Sequence, residues 1–404
     1  NACLSGGFTS FAFSSFFIGI IGFSTALVAQ YLGAGKHPNC PKVLTQTIIF
    51  SCLSTPILLI LIPVGRWVLA TAGLSAGEMA QAQTYLTILM AGNALDLFRQ
   101  SFNGYFGGLG KTRVVLLSTF AMAIANVCAN YILIFGKLGF PAMGIMGAGY
   151  GTLFAWFVGL ITLCVVYFKQ IQFPEYQLLQ SFQLDIEILK KLVRFGLASG
   201  LRITLLIFAI DLTILAFQSY GVEVSTAITV IFTWFQTLFI PVIGLEIGTM
   251  SLAGRFVGAR DLDSASDSVF SGLFLASAYA LILSLACLAV TPAMVELFLE
   301  PDSSVATRDL AIWGTQLNAF LMFILAWASI LGGALRGAGD TYGVMFISAG
   351  FWWLQYALVV ILIHMFGLHP DDVLTIHVLS SPLLLIAMVM RFRSGTWRKF
   401  ELAS

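Results

Sequence analysis

Eleven long apolar runs follow one another along this chain, and each is long enough to cross a membrane as a helix. A helix needs about 20 residues to span the hydrocarbon core of a bilayer. The runs lie at about residues 6–32, 43–70, 80–108, 112–136, 142–168, 187–219, 223–253, 264–291, 307–335, 341–366 and 371–391. In hydrocarbon the backbone N–H and C=O groups find no water, so such a segment satisfies them within a helix. The sequence therefore predicts an all-α polytopic membrane protein.

The composition agrees with this class and excludes several functions. Hydrophobic residues make up 59% of the 404 residues and charged residues 10%, which leaves too little polar surface for a soluble globular protein. The net charge is +1 without a basic cluster, so we expect no nucleic-acid partner. The six cysteines form no CxxC pair, the four histidines lie in loops or near the ends of late apolar runs, and no HExxH, GxSxG or Walker motif occurs. We therefore expect no enzyme activity, bound metal or cofactor, and a lipid bilayer as partner. We further expect a monomer and a small-molecule substrate.

An internal repeat is visible in two pairs of glycine motifs. Gly33 lies in LGAGKH and Gly258 in FVGARD, while Gly108 lies in GLGKT and Gly337 in GAGDT. The sequence separation is nearly the same in the two pairs. Two landmarks in the same order at nearly the same offset indicate a duplication. Six helices lie between Gly33 and Gly258. Because this number is even, both copies cross the membrane in the same direction. The sequence therefore predicts two parallel-repeat six-helix bundles, related by an axis along the membrane normal.

The longest connection between the runs divides the chain into two predicted lobes. Residues 1–170 form the amino-terminal lobe with five of its six helices, residues 171–186 form a linker, and residues 187–404 form the carboxy-terminal lobe with six helices. The helix at 187–219 opens the second copy, and moving back by the offset of the repeat places its equivalent before residue 1. We therefore expect one further helix at the amino end.

Lysine and arginine are concentrated in alternate connections, on the side that also holds the carboxyl end. Cytoplasmic loops of membrane proteins carry such an excess. We therefore expect a multi-pass protein of the cell (inner) membrane with a cytoplasmic carboxyl terminus.

Three polar residues stand in the apolar runs around residues 126 to 152. Asn126 and Asn130 are four residues apart, so they share one face of a helix, and Thr152 lies near the start of the next helix. A buried amide in hydrocarbon needs a polar partner. This face therefore lines an ion or substrate path, or its amides hold neighbouring helices together.

Three carboxylates and one guanidinium at membrane depth are the charged candidates for ion coupling. Charges there are costly and indicate a functional site by default. Asp96 is near the middle of its run and leads this group, although Arg99, three residues on, would neutralise it in a purely structural pair. Asp211 is displaced toward the outside and Glu246 toward the cytoplasm, so each is either functional or reaches water by snorkelling.

The run NVCANYILIFGKLGFPAMGIMGAGYGT at 126–152 resembles the multidrug and toxic compound extrusion (MATE) family of transporters. VAQYLGAGK at 28–36, FGLASGLR at 195–202 and LRGAGDT at 335–341 resemble further family landmarks, so the likeness covers nearly the whole chain. It implies two six-helix lobes that face a central cleft and export organic, often cationic, compounds by alternating access. The coupling ion of such an antiporter is H⁺ or Na⁺.

The resemblance also implies roles for particular residues. The family's coupling Asn and Asp of one helix correspond to Asn126 and Asn130, with Thr152 nearby, so an amide stands where relatives carry a carboxylate. An amide does not titrate, but its oxygen can bind a hard cation such as sodium. The acidic residues that many relatives carry in the second lobe are Leu206 and Leu325 here, which leaves Asp96 as the leading titratable residue.

Two alternatives remain open from the sequence. A lipid-linked or polysaccharide flippase of the same superfamily would favour fourteen helices and a strongly basic cavity. A receptor or channel would not be expected to contain a duplicated six-helix unit with carboxylates at membrane depth. Gradient-driven uptake of a fluorescent cation into liposomes distinguishes these possibilities.

Overall fold

The computed structural model describes residues 2–71, 75–172, 174–299, 303–400 and 402. Within these ranges the regular secondary structure is helical, as the all-α prediction requires. The α-helices are α1 (Ala2–Gly22), α2 (Ser24–Gly33), α3 (Asn39–Ile60), α4 (Ile62–Ala70), α5 (Ala76–Gly108), α6 (Thr112–Phe135), α7 (Ile145–Phe168), α8 (Ile186–Gln218), α9 (Val222–Gly258), α10 (Leu262–Glu296), α11 (Val305–Ala338), α12 (Thr341–His364), α13 (Pro370–Leu379) and α14 (Pro382–Arg393). Short 3₁₀ helices occupy Lys169–Gln172, Pro174–Tyr176, Leu178–Gln180 and Thr396–Lys399.

Ten segments in the described part of the chain are long and apolar enough to cross a membrane. They overlap ten of the eleven predicted runs, although the span that matches the run 43–70 covers Asn39–Ile60, and the polytopic all-α class is thereby confirmed. The remaining run, 80–108, lies in α5, which is a continuous helix of 33 residues. Its polar and charged residues, Asp96 and Arg99 among them, make it less apolar than its neighbours.

Three of the membrane segments are interrupted. Breaks at Phe23 and Leu61 separate α1 from α2 and α3 from α4, and a third separates α13 from α14. Pro63 and Pro382 lie in the first turn of the helices that follow the second and third breaks. Proline lacks the N–H that would continue the preceding helix, which accounts for both positions.

The chain forms two compact units, residues 1–204 with 402–404, and residues 205–401. The division falls within α8, and the linker expected at residues 171–186 stays a prediction. In the first unit the early part of α8 packs closely on α1. A Cβ on Gly196 would lie 2.8 Å from the carbonyl oxygen of Ile20, so the absence of a side chain permits this approach.

Equivalent glycines make the same close contact in each unit. A Cβ on Gly108 of α5 would meet the carbonyl oxygen of Thr25 on α2, and a Cβ on Gly337 of α11 would meet that of Met250 on α9. Gly108 and Gly337 are one pair of the internal repeat. Thr25 and Met250 have the same sequence separation as the other pair, Gly33 and Gly258. The duplicated motifs therefore occupy equivalent places in the packing of the two units.

Candidate functional site

The amide face of α6 contains a buried oxygen atom without a hydrogen-bond partner. Asn126 and Asn130 share this face, and the Nδ2 of Asn130 donates to the Oδ1 of Asn126 over 3.1 Å. The Oδ1 of Asn130 is buried, and no described residue donates a hydrogen bond to it. It points at Gly151 of α7, where a Cβ would collide with it. The glycine therefore leaves room for the amide oxygen between the two helices.

Thr152 follows Gly151 and lies beside this amide face. Its hydroxyl donates to the carbonyl oxygen of Ala148 over 2.9 Å, and the phenol group of Tyr85 on α5 lies nearby. Three helices of the first unit, α5, α6 and α7, thus contribute polar groups to this neighbourhood. The structure brings Asn130 and Thr152 to adjacent positions at the contact of α6 with α7, and Tyr85 is a neighbour that the sequence did not single out.

Asp96 and Arg99 form an ion pair within α5. The Nε of Arg99 donates to the Oδ1 of Asp96 over 2.9 Å, and a second guanidinium nitrogen reaches the same oxygen. Asp96 is buried, with 6% of its surface exposed. Beyond the pair, a Cβ on Gly159 of α7 would lie 3.1 Å from Arg99 and 3.4 Å from the Oγ of Ser118. The pairing neutralises the carboxylate at rest, as the structural alternative for Asp96 requires.

Glu246 is paired with an arginine that lies just beyond the predicted end of an apolar run. Arg336 lies inside α11, because this helix continues to Ala338, beyond the predicted end of its run at 335. Its Nη2 donates to the Oε1 of Glu246 on α9, and both residues are buried. Glu246 is therefore part of an interhelical ion pair, in place of the snorkelling that its position in the run suggested.

Asp211 is partly exposed on α8, and no ion pair involves it among the described residues. Its neighbours Ile210 and Ile214 line a cavity of the second unit. The described residues also contain no group of three or more His, Cys, Asp or Glu side chains that could hold a metal ion.

The MatE family model matches residues 3–132 and 198–361 of the chain. Among curated proteins, the uncharacterized transporter YisQ of Bacillus subtilis is 25% identical over 355 residues, which are 86% of this chain and 75% of that protein. The probable multidrug resistance protein NorM of Thermotoga maritima is 24% identical over 336 residues, which are 80% of this chain and 69% of that protein.

Solved structures show the same fold. The crystal structure of MATE in complex with MaL6 has a TM-score of 0.88 at 20% identity, and the likeness covers 99% of this chain and 89% of that one. The outward-facing conformation of a multidrug resistance MATE family transporter of the MOP superfamily has a TM-score of 0.85 at 18% identity, with the same two coverages.

Proposed function

The chain belongs to the MATE family of multidrug efflux transporters, and from this premise we propose that it is a cation-coupled antiporter for organic, mainly cationic, compounds. Related structures described as outward-facing, straight and bent support a mechanism of alternating access. The family match favours export of such compounds over the flippase and over the receptor or channel.

The unpartnered Oδ1 of Asn130 is the observation that carries this proposal. A buried polar atom without a hydrogen bond is costly, commonly about 1–3 kcal/mol, unless a ligand satisfies it. Amide and hydroxyl oxygens are ligands of hard cations. Asn126, Asn130 and Thr152 therefore suit sodium as a coupling ion, and the absence of a side chain at Gly151 leaves room for the buried amide oxygen between α6 and α7.

Asp96 is the corresponding candidate for proton coupling in the first lobe. Protonation would remove its charge and release Arg99 from the pair, so the guanidinium would then need another partner. Two ligands that favour different states of one protein weaken each other's binding, which is sufficient for antiport. A proton on Asp96 and an organic cation near Arg99 would oppose each other in this way.

A gradient exchange in proteoliposomes tests the proposal. Purified protein is reconstituted, and transport of a fluorescent organic cation is followed under an imposed sodium gradient and, separately, an imposed pH gradient. We expect at least one gradient to drive transport, and we expect Asn130→Leu to abolish the sodium-driven part. No transport under either gradient with a panel of organic cations would refute the proposed function.

Gln355 provides a matched control because it is the second-copy equivalent of Asn126, at the same offset as Gly337 from Gly108. Its amide is already occupied, since its Nε2 donates to the carbonyl oxygen of His377 over 3.0 Å and its Oε1 accepts from Ser380 over 2.8 Å. Gln355→Leu should therefore lower the melting temperature and leave the sodium dependence of transport unchanged. Equal loss of sodium drive in both variants would argue against a specific role for the first-lobe amides.

We also propose that the protein lies in the cell membrane as a monomer with its carboxyl end in the cytoplasm. The support is the concentration of Lys and Arg in alternate connections, which favours this orientation. A reporter that is active on only one side of the membrane, fused to the carboxyl end, tests the orientation. Activity on the outer side would refute it.

A further inference from the structure

The last membrane segment of the second unit is broken near its middle. Helix α13 ends at Leu379 and α14 begins at Pro382, with Ser380 and Ser381 between them. The carbonyl oxygen of His377, just before the break, accepts hydrogen bonds from Gln355 over 3.0 Å and from the hydroxyl of Ser380 over 2.8 Å. Broken helices at membrane depth occur where the backbone lines a cavity or is buried in protein, and in transporters they often contribute to ligand sites.

A cavity borders this break. It is lined by side chains from α8, α9, α11, α12 and α13, including Thr213, Phe235, Asn318, Trp352 and His377. Its volume is about 60 Å³, counted as the space open to the centres of water molecules. One water needs roughly 10–15 Å³ on this measure, so the cavity has room for several waters but not for a drug-sized compound.

The imidazole of His377 is the one titratable side chain among the residues that line this cavity. Its Nδ1 is buried, and no described residue forms a hydrogen bond with it. The lining positions on α8, α9, α11 and α12 are apolar, hydroxyl or amide side chains, so none of the residues that line the cavity from these helices is charged or titratable. Asp211 adjoins the lining residue Ile210 on α8 but is not itself a lining residue.

These observations point to a proton as the ligand. Histidine is the side chain whose ordinary pKa places its change of charge near neutral pH. A sodium ion would require several oxygen ligands, whereas a neutral imidazole offers one nitrogen lone pair to a proton. Protonation needs only transfer of one proton from water in the cavity to an imidazole nitrogen, with no other bond made or broken.

We propose that His377 and the cavity beside the broken last helix form a proton-binding site in the second unit. Protonation places a positive charge among aromatic rings, where Trp352 lies with its ring centroid 6.5 Å from that of the imidazole. The positive charge then attracts water into the cavity, or the backbone at the α13–α14 break rearranges around the imidazolium. The second unit thereby responds to pH although Leu206 and Leu325 replace the acidic residues of relatives.

Trp352 provides a direct measurement of this site on purified protein. A protonated imidazole quenches the fluorescence of a neighbouring indole more strongly than a neutral one, because it accepts an electron more readily from the excited ring. We expect the tryptophan fluorescence to fall on acidification in a single-proton step. The step should be absent from His377→Gln and from Trp352→Phe.

Two matched variants are the controls. His364→Gln removes an exposed histidine at the end of α12, and Trp353→Phe removes the adjacent tryptophan, whose ring packs against Tyr356 with a centroid distance of 6.1 Å. Both should retain the step. A step that persists in His377→Gln, or no step in the unmodified protein, would overturn the proposal. If His377→Gln does not fold, the histidine NMR spectra of the unmodified protein and of Trp352→Phe are compared in its place. If no imidazole resonance differs between these two proteins, the proposal is likewise overturned.

The consequence for transport rests on the proposed function and is measured separately. In proteoliposomes His377→Gln should lose part of the pH dependence of export, while the control His364→Gln should retain it. The fluorescence step requires no gradient or substrate. Its absence would refute the proton site alone, and absence of export in the unmodified protein would refute the transport function alone.

Discussion

Removing one charge of the Glu246–Arg336 pair should destabilise the protein more than removing both. The two residues are buried, with 9% and 8% of their surfaces exposed, and their side chains are in hydrogen-bonding contact. Two charges about 4 Å apart attract by about 4 kcal/mol at an effective dielectric constant of about 20. When one is removed, the other stays buried without compensation, which costs about 3–5 kcal/mol.

The assay is thermal unfolding of purified protein in one detergent, followed by circular dichroism. At roughly 2–4 °C per kcal/mol for a unit of about 200 residues, Glu246→Gln and Arg336→Met should each lower the melting temperature by about 6–20 °C. The double variant should melt above either single variant, which requires a coupling energy larger than the loss caused by one single variant, about 3–5 kcal/mol.

A surface ion pair provides the control for this cycle. Lys191 and Glu187 are 3.0 Å apart, and the Glu187 side chain is 76% exposed. Glu187→Gln should cost less than about 1 kcal/mol, because water screens the pair and solvates the remaining charge. Single variants of the buried pair that melt within a few degrees of the unmodified protein, or a double variant that shows the sum of both losses, would refute the reasoning.

Three further predictions concern transport and packing. Asp96→Asn should abolish or strongly weaken gradient-driven export without loss of fold, and normal export by this variant would leave only the structural role of Asp96. Arg99→Ala should lower the stability by about 3–5 kcal/mol, because it leaves the buried carboxylate of Asp96 without its partner. Asn130→Asp should add a pH-dependent component to transport, because it introduces a titratable group, and an unchanged pH profile would contradict a role of this face in coupling. Gly337→Ala should cost about 1–3 kcal/mol through overpacking against Met250, while Gly350→Ala, which meets no atom within 4 Å, should not; equal melting temperatures of the two variants would contradict the packing.

Much of the fold could be predicted from hydropathy and the internal repeat. Apolar length identifies membrane helices because the bilayer requires it. Gly108 and Gly337 marked the repeat in the sequence, and the structure places both against equivalent carbonyl oxygens. Helix ends were less predictable. Arg336 lies just beyond the predicted end of the run 307–335, yet α11 continues to Ala338.

The candidate sites depended on information that spacing along the chain does not contain. The Asp96–Arg99 pair could be predicted because its members lie three residues apart on one helix. Glu246 and Arg336 are far apart in the sequence, so only the packing of α9 on α11 joins them. His377 belongs to no motif. Its interest comes from an unpartnered nitrogen, a cavity and a helix break, and these exist only in three dimensions.

The charged pair on α5 has a consequence for how the chain enters the membrane. An Asp or Arg at the centre of a helix raises the free energy of insertion by about 2.5–3.5 kcal/mol on translocon scales. Because Asp96 and Arg99 lie within one turn, they can neutralise each other before any other helix is present. Replacing Arg99 with Leu removes a charge and adds an apolar side chain, but it also leaves Asp96 without its partner. We therefore expect the insertion of α5 to improve by less than the hydropathy of this substitution alone would suggest. A glycosylation-mapping assay that shows the whole improvement would disprove this. The least apolar membrane helix of the chain thus carries its own counter-ion during biogenesis, so its integration need not await a partner helix.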